Sequence, residues 1–297
     1  MKKKIAYIVD TSCSLSEDLK KNKDVYVIPL LLTDQDGKTY KDGIDLDMAK
    51  MIQAIDAGKV FKTSASNLGA LTLLIEDLLE SYEKVIFIPI AQGISCQYQQ
   101  SVILREEFED KLFIVKNNTA VYGSEYLLNY LMERAPSSSD LNQLMIDAEL
   151  ECNKITTLFS CEDLSLLLRG GRTTKSLVRV VTFFKIKPII LLHGKNQLSG
   201  AGTNYVNITK KICKKIRKAY GDIWNNSLVK EISVYDGGNP QNKLDEICQI
   251  VSEEFNFDIT KIQLRDVPNA VIAHTNKGSY GICVITSNPR EVDISED

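Results

Sequence analysis

The sequence predicts a two-part α/β protein. Residues 1–154 read as a domain with a largely parallel sheet flanked by helices, and residues 155–297 as an α+β domain with a mixed or antiparallel sheet. Three observations carry this. β-type runs alternate with helical periodicity through the first half, the pattern of a parallel sheet covered by helices. The run Lys84–Ile90, KVIFIPI, is almost wholly apolar, as a strand buried on both faces requires. The rhythm then changes near residue 154, and the chain ends in three closely spaced β runs whose short separations favour antiparallel pairing.

Taken in order, Lys4–Val9 is the first strand, ending at Asp10-Thr11-Ser12, and a capped helical stretch follows around Ser16–Lys21. Val25–Leu32 is a second β run. Asp45–Ala57 and Asn67–Tyr82 have helical spacing, the latter with Leu68, Leu71, Ile75, Leu78 and Leu79 on one face. After Lys84–Ile90 come a helix over Gln97–Phe108, a strand over Leu112–Val115 and a helix over Tyr122–Arg134. Pro136–Ser139 is a loop leading into a helix over Asp140–Cys152.

The second half opens with Thr156–Ser160 and then Asp163–Leu192, DLSLLLRGGRTTKSLVRVVTFFKIKPIILL. This stretch reads as a helix, a turn that needs glycine, a second helix and a buried strand from Pro188 to Leu192. A loop Gly194–Asn204, a basic helix to about Tyr220, a strand Glu231–Tyr235 and a helix Gln241–Phe255 precede the last β runs. Those are Lys261–Leu264, Ala270–His274 and Tyr280–Ile285.

With 297 residues, 44% hydrophobic and 25% charged, the chain is long enough for two domains with a sizeable core. A net charge of -3 gives no footprint for nucleic acid. The charged start Met1–Lys4 resembles a signal peptide, but the apolar run behind it stops at Asp10 and reads as a strand. No run approaches the roughly 18 apolar residues of a membrane helix, so a soluble, cytoplasmic protein without stable membrane insertion is expected. Transient contact with a membrane surface is compatible with that. Seven cysteines, odd in number and without a CxxC pair, point to free thiols in a reducing compartment. Two histidines and no Cys/His cluster leave no expectation of a metal, and no cofactor is predicted.

Ligands of an open parallel sheet collect at the carboxyl ends of its strands. Asp10-Thr11-Ser12, Gln92-Gly93-Ile94-Ser95 and Asn117-Asn118-Thr119 fall at such ends, and Lys62-Thr63-Ser64-Ala65-Ser66 adds hydroxyls before a helix start. Each alone is the ordinary chemistry of helix capping. Together with helix N-terminal amides they suit a carboxylate or phosphate oxygen. A lone histidine is in general a packed or capping residue, but His274 ends an apolar run and enters a loop with Gly278 and Gly281, where a backbone can approach a ligand. The segment Lys210–Lys218, KKICKKIRK, is in the first place a solvated helix face. Neither a GxxxxGK[ST] loop, a GxGxxG turn nor a GxSxG elbow occurs.

These segments resemble, in order, the signatures of the DegV family. Ile8-Val9-Asp10-Thr11-Ser12 is similar to its "V(T)DST", Val27-Ile28-Pro29-Leu30 to "VVPL", and Thr63-Ser64 to "TSQPS" with Ala65 and Ser66 in place of Gln-Pro. Ile94–Gln99 resembles "LSGTYQ", with Cys96 at the glycine. Asp163–Arg172 and Ile186–Ile190 resemble "DL.YL..GGR" and "IKPIL", and Ala273–Gly281 resembles "GTHTGPGALG". The resemblance implies a long-chain fatty acid in an apolar tunnel between two domains, its carboxylate held by Thr63, Ser95 and His274 with Ser64, Cys96 and Gly278 in the supporting loops. It further implies a protein without covalent chemistry of its own that presents the carboxylate to a fatty acid kinase subunit for acyl-phosphate formation. Asn117-Asn118 stands where the family has "DS", and no arginine occurs between Arg179 and Arg217, where the family often carries one. The alternatives are a phosphoryl- or acyl-transfer enzyme using His274 with Ser95 and Thr63, or a lipid-sensing regulatory module that contacts a partner through Lys210–Lys218.

Overall fold

The computed structural model describes residues 3–162, 166–167 and 186–294. The Gly170-Gly171-Arg172 turn and, apart from Leu166 and Leu167, both helices expected around it lie outside the described residues. The chain divides into two compact units, one of Met1–Asp47, Val60–Cys152 and Pro268–Ala270, the other of Met48–Lys59, Asn153–Val267 and Val271–Asp297.

The first unit is built on a parallel sheet of β1 (Lys3–Asp10), β2 (Val25–Ile28), β6 (Tyr82–Ile88) and β7 (Leu112–Ile114), in the order β2-β1-β6-β7. Alternation along the strands sends Ala6, Ile8, Val85 and Phe87 to one face. There they pack against Leu71, Ile75 and Leu78 of α3 (Leu68–Ser81) and Leu104 of α4 (Gln97–Phe108). The other residues of the central strands, Tyr7, Val9, Ile86 and Ile88, are buried as well. α5 (Tyr122–Arg134) and α6 (Leu141–Glu151) complete this unit's long helices. Side-chain caps start two of these helices where the sequence places them: Asn67 accepts from the Ala70 amide and Asp140 from the Gln143 amide.

The run Val25–Leu32 is not one strand. Pro29 and Leu30 separate β2 from β3 (Leu31–Asp34), which belongs to a second, antiparallel sheet with β4 (Thr39–Lys41) and β5 (Phe61–Ser64). Proline has no amide to donate to a ladder, which favours a break at this point.

In the second unit six strands run in the order β10-β9-β8-β13-β11-β12. They are β8 (Ile155–Ser160), β9 (Lys187–His193), β10 (Lys195–Gly202), β11 (Val229–Gly237), β12 (Gln263–Asp266) and β13 (Ser279–Thr286). α7 (Tyr205–Lys218) and α8 (Gln241–Phe255) cover one face through Ile208, Ile212, Ile216, Ile247, Val251 and Phe255. The short helix α2 (Met48–Asp56) belongs with this unit.

Three expectations are corrected here. The segment Gly194–Asn204 is mostly strand β10, an edge partner of β9 whose polar, glycine-containing sequence hides its pairing. The strand expected at Lys261–Leu264 is β12, which pairs parallel to β11 and not with β13; β13 is antiparallel to β11 and β8, so the last runs do not pair with one another. Ala270–His274 is no strand at all but lies in a helix, α9 (Asn269–Thr275). Pro268 sets the helix entry, and Asn276 in the left-handed region (φ 65°) ends it.

Candidate functional site

At the head of the parallel sheet the loops are tied together by buried polar groups. Asp10, the last residue of β1, is wholly buried. Its Oδ1 accepts from the Ser12 amide and hydroxyl, and its Oδ2 accepts from the Ile90 amide at 2.7 Å. Burial pushes its carboxyl up from the usual range, against the pull of those three donors. The loops after β6 and β7 are joined by the Ala91 amide to the Thr119 carbonyl and the Gln92 amide to the Asn117 carbonyl. Asn117, also wholly buried, donates Nδ2 to the Pro89 carbonyl and Ser124 Oγ and accepts the Thr119 amide. An amide side chain can serve both as donor and acceptor here, as a carboxylate at the same place could not.

Two of the hydroxyl segments singled out in the sequence meet. Thr63 and Ser64 end β5, with Thr63 opposite Leu32 in β3. Two residues on, the Ser66 amide donates to Gln97 Oε1 at 2.8 Å. Gln97 opens α4, and its own amide donates to Ser95 Oγ at 3.2 Å. Its carbonyl accepts Ser101 Oγ at 2.6 Å. Gln97 is therefore the buried link between the Thr63–Ser66 segment and Ser95, a role its sequence position alone does not suggest. Cys96, at the N-cap of α4, is the exposed thiol and makes no side-chain cap bond.

His274 and Gly278 lie in the second unit. His274 occupies the last turn of α9 and is half-buried. Behind it, Thr275 Oγ1 and Ser279 Oγ are 3.0 Å apart. Gly278, at φ +80°, donates its amide to the Gly237 carbonyl at 2.8 Å. Its carbonyl accepts Lys243 Nζ, which sits over the rings of Tyr205 and Tyr280. The other histidine, His193, ends β9, and burial pulls its imidazole down to about 4, so it is neutral at pH 7.

The start of α9 rests on Asp42 and, behind it, on Thr11 of the Asp10-Thr11-Ser12 segment. Asp42 is 2% exposed, and its Oδ2 accepts both Thr11 Oγ1 and the Ala270 amide, each at 3.1 Å. Burial raises its carboxyl to about 6, hydrogen bonds from Ala270, Thr11 and Asn269 oppose this, and the charge of Asp10 adds to it. An acidic residue in the turn Lys41-Asp42-Gly43 has the look of a solvated loop. Only the fold reveals its burial.

Comparison with known proteins gives this arrangement its family. A family model described as "Uncharacterised protein, DegV family" matches residues 4–287. The chain belongs to the DegV family. A DegV domain-containing protein of Ureaplasma parvum is 29% identical over 292 residues, covering 98% of each chain. Another from Staphylococcus aureus is 24% identical over 283 residues, covering 94% of this chain and 97% of its own. Among solved structures, a fatty acid binding DegV family protein of Streptococcus agalactiae superposes with a TM-score of 0.81 at 22% identity, over 96% of this chain and 100% of its own. DegV of Bacillus subtilis, a fatty acid binding protein, gives 0.76 at 18% identity, over 96% and 100%. At these identities the likeness is one of fold, and it extends over both units of this DegV chain.

Proposed function

We propose that this DegV protein binds a long-chain fatty acid, with its carboxylate received by Thr63, Ser95 and His274. The observation that carries the reading is the fold shared, over nearly the full chain, with the fatty acid binding DegV proteins of Streptococcus agalactiae and Bacillus subtilis. The Gln97 link supports it, because it brings the Thr63–Ser66 segment to Ser95 and leaves the two hydroxyl residues on one built framework. Burying an acyl chain supplies about 0.8 kcal/mol per methylene. A carboxylate carried in with it requires hydrogen-bond donors, and hydroxyls and an imidazole are such donors. In this reading the protein acts in the cytoplasm, does no covalent chemistry itself and presents the carboxylate to a separate fatty acid kinase subunit.

Organic extraction of the purified protein followed by mass spectrometry tests the binding. Stoichiometric long-chain fatty acid, replaceable by added palmitate, is the expected result. An empty extract from protein that also fails to take up palmitate overturns the reading. Presentation is tested separately, by adding a fatty acid kinase catalytic subunit with ATP and trapping acyl phosphate with hydroxylamine.

A further inference from the structure

We infer that Asp42 is a positioning residue for His274, acting through the helix that carries it. The functional half of this inference rests on the reading of His274 as a ligand of the fatty acid carboxylate. α9 has only seven residues, Asn269–Thr275, too few for internal hydrogen bonds to fix it. Its position depends on what holds its first turn. Two groups of the Asp42–Leu46 loop do so. Asp42 Oδ2 accepts the Ala270 amide, one of the N-terminal amides that no helical carbonyl can reach. The Leu46 carbonyl accepts Asn269 Nδ2 at 2.8 Å.

Asp42 is itself held from behind. Thr11 Oγ1, at the exit of β1, donates to the same Oδ2 and accepts the Leu30 amide at 3.0 Å. A continuous chain of buried and part-buried bonds thus runs from the β1 exit through Thr11 and Asp42 to the amide of Ala270. His274 stands four residues further along α9, one helical turn away. Thr11, Asp42 and Asn269 each fix an amide or carbonyl of another segment.

The test uses the full-length protein and compares Asp42→Asn with Asp42→Ala. The Asn side chain keeps an oxygen that can accept the Ala270 amide, whereas Ala keeps none. Two readouts are taken: the imidazole NMR signals and titration of His274, which need no ligand, and retained fatty acid. The expected result is that Asp42→Ala shifts the His274 signals and lowers retained fatty acid by about tenfold, the scale of one hydrogen bond to a charged group, while Asp42→Asn stays near wild type in both. A folded Asp42→Ala protein with wild-type His274 signals overturns the inference. Should Asp42→Ala fail to fold, Asp42→Leu, which keeps bulk but no acceptor for the Ala270 amide, is read in the same way, and unchanged His274 signals there overturn it too. Shifted His274 signals in Asp42→Ala, alongside a wild-type protein that binds no fatty acid, would leave the anchor standing and remove the proposed function instead.

Discussion

Two buried carboxylates, Asp10 and Asp42, lie in the same unit and do different work. Asp10 takes three donors, all from the strand exits of the parallel sheet, and locks the Ile90 turn that leads to Ser95. Asp42 accepts the Thr11 hydroxyl at the exit of the central strand β1 and the Ala270 amide of α9, which leads to His274, with Asn269 also hydrogen-bonded to it. The first is sheet architecture, closed on itself. The second joins a loop to a short helix, and its hydrogen bonds from Ala270, Thr11 and Asn269 likewise oppose the rise that burial causes. The candidate ligands Ser95 and His274 are therefore held by different supports, one within the sheet and one through a loop and a short helix.

The largest expected effect breaks the first side of this comparison. Asp10→Ala leaves the Ile90 and Ser12 amides buried without an acceptor, and a loss of about 3–5 kcal/mol is expected in urea unfolding. A loss under about 1 kcal/mol would show that water replaces the carboxylate and that the lock is not structural. The second side is probed by pH. The folded value of Asp42, about 6, lies above the 3.8 of an unperturbed aspartate, so the folded protein binds the proton more tightly than the unfolded chain. Above pH 6 the ionised carboxylate therefore costs stability, by about 3 kcal/mol from the shift. That cost fades as the pH falls from about 6 towards 4. Asp42→Asn should abolish this part of the stability–pH curve, and parallel curves for the two proteins would contradict the assignment.

The contrast also marks how far the sequence could be read. β1 and β6 are nearly continuous apolar runs, and their strand character, parallel pairing and hydroxyl-bearing exits were all legible. So were α3, α4, α5 and α8, whose spacing or caps repeat over three or more turns. α9 was not. A run of four apolar residues before a histidine fits a strand as well as a turn of helix, and the partner that accepts the helix's Ala270 amide, Asp42, lies more than two hundred residues earlier. Likewise β10 pairs through its backbone alone, which leaves no apolar stripe to see. Thr63, Ser95 and His274 stand out in the sequence because hydroxyls and a histidine at element ends are conspicuous, and the family resemblance groups them as candidates. Gln97 and Asp42 were missed because a side chain that positions another looks like any polar residue until its partner is known.

A smaller effect sharpens the Ser95 side. Ser95 Oγ already accepts the Gln97 amide, so its hydroxyl hydrogen remains to be directed elsewhere. Ser95→Ala should lower retained fatty acid roughly fivefold, the worth of a typical net hydrogen bond, with little change in the unfolding midpoint. Wild-type retention would remove Ser95 from the head-group site and leave it as a cap of α4.

The smallest effect concerns Cys96, which stands beside Ser95 and tests whether that turn is open while its surroundings are closed. Six of the seven thiols are buried, and burial raises those of Cys152, Cys248 and Cys283 to about 11 and that of Cys213 to about 12. Thiolate, the reactive form, is scarce at such sites at neutral pH. Iodoacetamide applied to the native protein should therefore modify Cys96 first, adding one carbamidomethyl group by mass before any other site reacts. Cys96→Ala should remove that fast addition and shift stability by less than about 0.5 kcal/mol, since an exposed N-cap thiol without a cap bond holds nothing in place. Two groups added at equal rates would mean that one of the buried thiols opens as readily as the turn. If saturating fatty acid slows the reaction at Cys96, the ligand's head group lies close to this turn; an unchanged rate would move it away from Ser95.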